Sequence, residues 1–252
     1  MNLTYDWAAG LTTVLLVIAV VVVGQFLVFR IPAIATTRQQ NNEANKQKLK
    51  TKGDKYRHRI KTSQNIALAI NVVFYAGILP FLVTLSPQPL SKIALDVVLI
   101  LMIYDFFYYL VHRFAFHGNG YLRKVHAVHH QARSRVSSVD SLMLHPWEIF
   151  IGIALFYAVI SAIALIAGEP FQVATIVICN VIYTQLNQIN HCKIDLHTFP
   201  WRTLNWIAIR HDAHHLDMHK GNYATITLLY DRLFGTLETH PSESAVREGN
   251  AT

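Results

Sequence analysis

The sequence is short of charge. Asp, Glu, Lys and Arg together make up 15% of its 252 residues, against roughly 25% in ordinary soluble domains. Hydrophobic residues reach 52% and the mean hydropathy is +0.29, so the shortage excludes a disordered or collagen-like chain and weighs against a single water-soluble domain. Cysteine is nearly missing too. Cys179 and Cys192 are the two present, too few for a disulfide framework or a Cys-rich zinc site, and they leave the redox compartment open. Also absent are a dinucleotide-binding fingerprint, an H-P-G-G-type haem module and a Cys set for an iron–sulfur cluster. No glutamate follows the first histidine of any histidine cluster, which excludes H-E-x-x-H zinc protease chemistry.

Long apolar runs are what the chain has in place of charge. Residues 8–29 carry no charged side chain, and as a helix rising about 1.5 Å per residue they cover about the 30 Å of a hydrocarbon core. No basic stretch precedes them and no small-residue cleavage site follows Arg30, so the segment reads as a retained span rather than a cleaved signal. Four further runs, 66–85, 93–111, 149–167 and 171–189, pair into two hairpins that turn through residues 86–92 and 168–170, both rich in turn formers. About five spans are expected.

The formal charge of +7 is concentrated in one place. Between residues 38 and 61 nine basic side chains (Arg38, Lys46, Lys48, Lys50, Lys52, Lys55, Arg57, Arg59, Lys61) face Glu43 and Asp54, a local excess equal to that of the whole chain. Tyr56 alone does not supply the aromatic interleaving a nucleic-acid groove needs, so no nucleic-acid partner is expected. The segment reads as a solvated linker and as the cytoplasmic anchor that sets topology. Parity then puts the N-terminus on the opposite side and returns the chain to the cytoplasmic side at residues 112–148 and again at 190–252.

Thirteen of the fourteen histidines follow residue 111. All thirteen lie in those two same-side segments, and none falls inside an apolar run. They cluster as His112 and His117, then His126, His129 and His130, and finally His211, His214 and His215. Residues at i, i+3 and i+4 share one helix face, so each H-x-x-H-H can offer two or three imidazoles to a metal beside it. The five-residue step from His112 to His117 fits a straight α-helix less well and predicts a helix end or a local bulge. Imidazole suits iron, copper, nickel and zinc.

This constellation resembles the fatty acid hydroxylase and sterol desaturase superfamily of integral-membrane non-haem di-iron oxygenases. The pairs and triplets above carry the resemblance, together with the isolated His191, Tyr104-Asp105, His145-Pro146, Asn222-Tyr223 and the run from Asp231 to Thr236. It covers about residues 66–240. The resemblance implies two iron ions held by His112, His117, His126, His129, His130, His211, His214 and His215, with His145 and His191 as further ligands. Some relatives pair the isolated histidine with another four residues on, and here Asp195, His197 or water would take that position; His219 would be a neighbour, and His58 and His240 would be surface residues. Asp105, two helical turns before His112, is expected to accept an N–H from a ligand histidine and fix its tautomer. Asn187 is expected to support the site, while Arg113, Arg123 and Lys124 would meet an acidic headgroup or redox partner.

The expected molecule is an all-α, multi-span membrane enzyme whose two hairpins hold a cytosolic-side helical cap. The organisation implied is an N-terminal anchor over 1–30, a basic cytoplasmic linker over 31–65, a fatty acid hydroxylase-like catalytic membrane domain over 66–240 and a flexible polar tail over 241–252. The implied activity is O2-dependent hydroxylation, or desaturation, at a C–H bond of a membrane lipid such as a fatty acyl chain, sterol or sphingolipid. Electrons from NAD(P)H would come through a separate partner, cytochrome b5 or ferredoxin with its reductase. The competing expectation is a membrane zinc-binding or transport protein, which should carry ionisable groups near the midplane; Asp96 and Asp105 both lie towards span ends.

Overall fold

The computed structural model describes residues 4–132, 137–192, 196 and 198–241. Helix α1 (Trp7–Val28) starts at Asp6, whose carboxylate accepts from the Ala9 amide at 2.9 Å, a side-chain cap on otherwise unsatisfied donors. Its apolar side chains are largely exposed, as a lipid-facing helix requires. Helix α2 (Pro32–Thr51) takes proline in its first turn, where the missing amide costs nothing, and meets no further breaker until Gly53. Gly53 at φ +74° supplies the left-handed residue at the junction with α3 (Gly53–Val72). The basic stretch is therefore helical rather than a loose linker. The reason lies across the molecule: Asp140 is buried and accepts from Tyr56 Oη at 2.7 Å while pairing with Lys48. Asn45 adds bonds to Ser137 and Ser138.

Helix α3 runs on through a π turn (Val73–Ile78) and a 3-10 turn (Leu79–Phe81), making 29 continuous residues. Helix α4 (Leu90–Leu110) continues through a second π turn (Val111–Phe116) to 27 residues, and α6 (Pro146–Ala167) has 22. With α1 these are the four helices among the described residues that are long and apolar enough to cross a membrane, while α7 (Val173–Ile189), the expected fifth span, is apolar but has 17 residues. Among the described residues, strand occurs only where the two hairpin turns meet. There β1 (Val83–Thr84) pairs in parallel with β2 (Phe171–Gln172), Val83 opposite Phe171.

Between the helices lies an aromatic core. Phe74 stacks on Tyr157 at 3.7 Å, Phe156 stacks on Tyr183 at 4.3 Å, and Tyr104 meets both Phe156 and Tyr183 edge-on. At the turn end, the Asp6 amide donates to Pro80 O at 2.9 Å, so the N-terminus of α1 sits beside the β1–β2 pair. The histidine clusters occupy the other end, under a cap of α5 (Tyr121–His126), two 3-10 turns (His129–Gln131 and Ser138–Leu142), α8 (Trp201–Leu216) and α9 (Leu229–Leu233).

Candidate metal centre

The π turn at the end of α4 answers the five-residue spacing of its histidines. The His117 amide bonds to His112 O at 3.0 Å, a link from i+5 to i that wraps both rings to the same side. Each H-x-x-H-H triplet, by contrast, is divided. His126 and His130 join His112, His117 and His214 in one group, whereas His211 and His215 join His129 and His191 in a second. In each triplet the i and i+4 rings share one group and the middle ring reaches the other, so two short helical segments serve two centres at once. Within each group the ligand nitrogens all lie within 4.8 Å of one another.

The outward nitrogens fix the tautomers. Nδ1 of His112 donates to Tyr223 O at 2.7 Å, that of His117 to Met218 O at 2.8 Å, that of His214 to Gly221 O at 2.8 Å and that of His191 to Asn187 O at 2.9 Å. A carbonyl only accepts, so the proton of each neutral ring sits on Nδ1 and the Nε2 lone pair points inward. These inner nitrogens crowd together. His112 and His126 Nε2 are 2.9 Å apart, His130 lies 3.0 Å from His126 and 3.1 Å from His214, and in the second group His211 is 3.0 Å from His215 and 3.3 Å from His191. Facing lone pairs without a proton between them repel. Two nitrogens each about 2.1 Å from one ion, at right angles to it, would stand about 3 Å apart, so the observed spacing fits a shared cation.

Burial keeps the rings neutral, which is the metal-binding form. It lowers His117 to about 4 and drives His126, His129, His211, His214 and His215 well below the ordinary histidine range, with neighbouring imidazoles adding to the effect in the latter five.

Two expectations are corrected. His145 is brought to neither group: its Nδ1 accepts the Trp147 amide at 3.2 Å and caps α6. Asp105 hydrogen-bonds to no histidine among the described residues. Its carboxylate accepts the amides of Thr225, Ile226 and Thr227 at 2.9, 2.8 and 3.0 Å and the Thr227 hydroxyl at 2.9 Å, pinning the loop just after the Tyr223 carbonyl that holds His112. Asp231 clamps the same loop at the amides of Tyr223 and Ala224, both at 2.8 Å. The acid that does hold a ring is Glu148, with Oε1 2.7 Å from His126 Nδ1 and both side chains buried. Its sequence signal was weak, since an acid in the first turn of a helix is ordinary dipole chemistry. Asn187 acts as expected, though through its backbone. Asp195 and His197 lie outside the described residues. His219 and His240 join neither group; the former's amide donates to Asp217 and the latter's ring lies 3.1 Å from Asp212.

A cavity of about 630 Å³ leads away from the centre. His112, His129, His191 and His211 line one end, and Val14, Val17 and Ile18 of α1 line its wall. Ile18 and Leu68 both border it and are 55% and 62% exposed, which places a mouth between α1 and α3 on the lipid-facing surface. Asn180, Tyr183, Thr184 and Asn187 recur at helical spacing along the wall given by α7, and His191 follows just past its end.

Fold and site define a membrane-type helical protein with two adjacent groups of imidazoles able to hold metal. The fatty acid hydroxylase family model matches residues 97–236, more than half of the chain and all nine converging histidines, and the chain belongs to that family. It is 30% identical over 155 residues to a very-long-chain aldehyde decarbonylase of Oryza sativa subsp. indica, covering 57% of this chain and 53% of the relative. It is 27% identical over 146 residues to methylsterol monooxygenase 1 of Rattus norvegicus, covering 54% and 44%. To cholesterol 25-hydroxylase-like protein 2 of Danio rerio it is 31% identical over 156 residues, covering 58% and 51%. The chain thus spans about half the length of the curated relatives it matches. No solved structure matches it.

Proposed function

We propose that the chain is an O2-dependent di-iron hydroxylase acting on a C–H bond of a membrane lipid. One observation carries the reading: nine histidine side chains converge in two groups at the end of a cavity that opens towards lipid. His112, His117, His126, His130 and His214 would hold one iron, and His129, His191, His211 and His215 the other. When bound, the irons supply the redox chemistry that activates O2 towards an unactivated C–H bond. The chain supplies the rest. Backbone carbonyls at Tyr223, Met218, Gly221 and Asn187 keep protons on the outer nitrogens, the Glu148 carboxylate raises the basicity of His126, and the apolar cavity wall excludes bulk water from the lipid.

Electrons would come from NAD(P)H through cytochrome b5 or ferredoxin with its reductase. The basic helix α2 lies at the histidine end and offers such a partner a cationic face, and the same charge would set that end in the cytoplasm with the N-terminus opposite. The relatives' printed names, methylsterol monooxygenase and cholesterol 25-hydroxylase-like, support a neutral lipid substrate. The test is metal content with an isotope. Two irons per chain and one 18O from 18O2 in a lipid product support the reading; stoichiometric zinc with no O2-dependent turnover under any donor supports the metal-handling alternative.

A further inference from the structure

At the end of the cavity remote from the histidines, three polar side chains meet inside the membrane core. The Tyr157 hydroxyl on α6 donates to Asn71 Oδ1 on α3. Asn71 Nδ2 has no protein partner among the described residues. The hydroxyl of Tyr75, beside Tyr157, is buried and completes no hydrogen bond of good geometry. All three residues line the cavity. Asn180 and Thr184 face the same space from α7, so the polar groups converge from three helices rather than belonging to one hydrophilic face.

A polar atom left unsatisfied at this depth, as the Tyr75 hydroxyl is, is costly, and the cost is recovered when a ligand oxygen or hydroxyl completes it. The chemistry of that ligand is constrained. Among the described residues, apart from tyrosines, the ionisable side chains lining the cavity are Glu148 and the histidines at the metal end, with no lysine, arginine or aspartate. A carboxylate or phosphate would find no counter-charge there, whereas a neutral hydroxyl or carbonyl finds both donors and an acceptor. Tyr157 lies nine residues along α6 from Glu148, which touches His126, and that is about 13 Å of helix rise.

Resting on the hydroxylase reading above, we infer that Asn71, Tyr75 and Tyr157 bind a neutral hydroxyl or carbonyl at one end of the lipid. The carbon offered to the metal centre then lies at the opposite end of the cavity from that oxygen. Asn71 and Tyr75 fall outside the family-matched residues and Tyr157 falls within them, so the chain's flanking helix supplies two of the three anchoring groups. The lipid enters through the Ile18–Leu68 mouth and seats its polar end away from the histidines. Oxidation is therefore remote from the existing oxygen rather than adjacent to it.

The test measures binding to the iron-loaded full chain in detergent, with two matched probe sets: hexadecan-1-ol, hexadecane and palmitate; and cholesterol, cholestane and cholesteryl sulfate. In at least one set the alcohol should bind about tenfold more tightly than both its deoxy and its anionic counterparts, the gain expected of one satisfied buried hydrogen bond. Tyr157→Phe and Asn71→Leu should each erase most of that preference while leaving the deoxy probe's affinity unchanged. Iron content and elution volume equal to the parent qualify each variant, and Tyr75→Phe replaces any that fails. No preference for the alcohol in either set, or a preference that survives the qualified variants, overturns the inference. An anchor-dependent preference without any 18O-labelled product would leave the binding site standing and remove the hydroxylase reading instead.

Discussion

Glu148 and His145 stand three residues apart at the start of α6, and they separate two roles that a histidine-rich sequence blurs. Replacing Glu148 by Gln removes the negative charge from the proton of His126, and metal affinity should fall roughly 10–100-fold, read as iron lost to a chelator. Replacing His145 by Ala removes a helix cap, costing about 1 kcal/mol of thermal stability with iron content unchanged. Acid acts on the whole set in one direction. His117 is lowered by burial from 6.5 to about 4, so between these values the unfolded chain takes up a proton that the folded chain refuses. Its contribution to stability is present above pH 6.5 and is lost as pH falls towards 4. Protons also compete with metal for Nε2, so iron release and a falling Tm should appear together over that interval in a pH series. Much of this scale was legible in the sequence: nine of the ten expected ligands do converge. His145 misled because a histidine before proline at a helix start is also a good cap, and Asp105 misled because sharing a helix face with His112 does not decide which side of a loop the carboxylate reaches.

At the scale of elements, apolar length was readable and polar helices were not. The runs at 8–29, 93–111 and 149–167 became helices within a few residues of their expected bounds, since uninterrupted apolar sequence has few other solutions in lipid. The strand pairing between the two hairpin turns involves two residues on each side, below any pattern in the sequence. Helix α2 was hidden because its stability is borrowed from Asp140, far away along the chain. Asp140→Ala should release it, destabilising the protein by about 2 kcal/mol as a charged hydrogen-bond network is lost. The measurement is limited trypsin digestion, with cleavage at Lys46–Lys52 accelerated while the metal content of the intact fraction is retained. The π turn after α4 was half legible: the five-residue step demanded a local departure from α geometry, and the structure places it at Val111–Phe116.

For the whole molecule, the chain joins two solvents. Its histidine end sits under a helical cap and its cavity opens sideways between α1 and α3. The mouth at Ile18 and Leu68 has a kinetic consequence. A substrate that reaches the centre through it is drawn from the surrounding lipid sheet, so its effective concentration is a mole fraction in two dimensions rather than a molarity. Turnover in proteoliposomes should fall when inert phospholipid is added at fixed total substrate, and should not change when the same vesicles are merely diluted with buffer. The protein would then respond to the composition of its membrane before it responds to the amount of lipid in the cell.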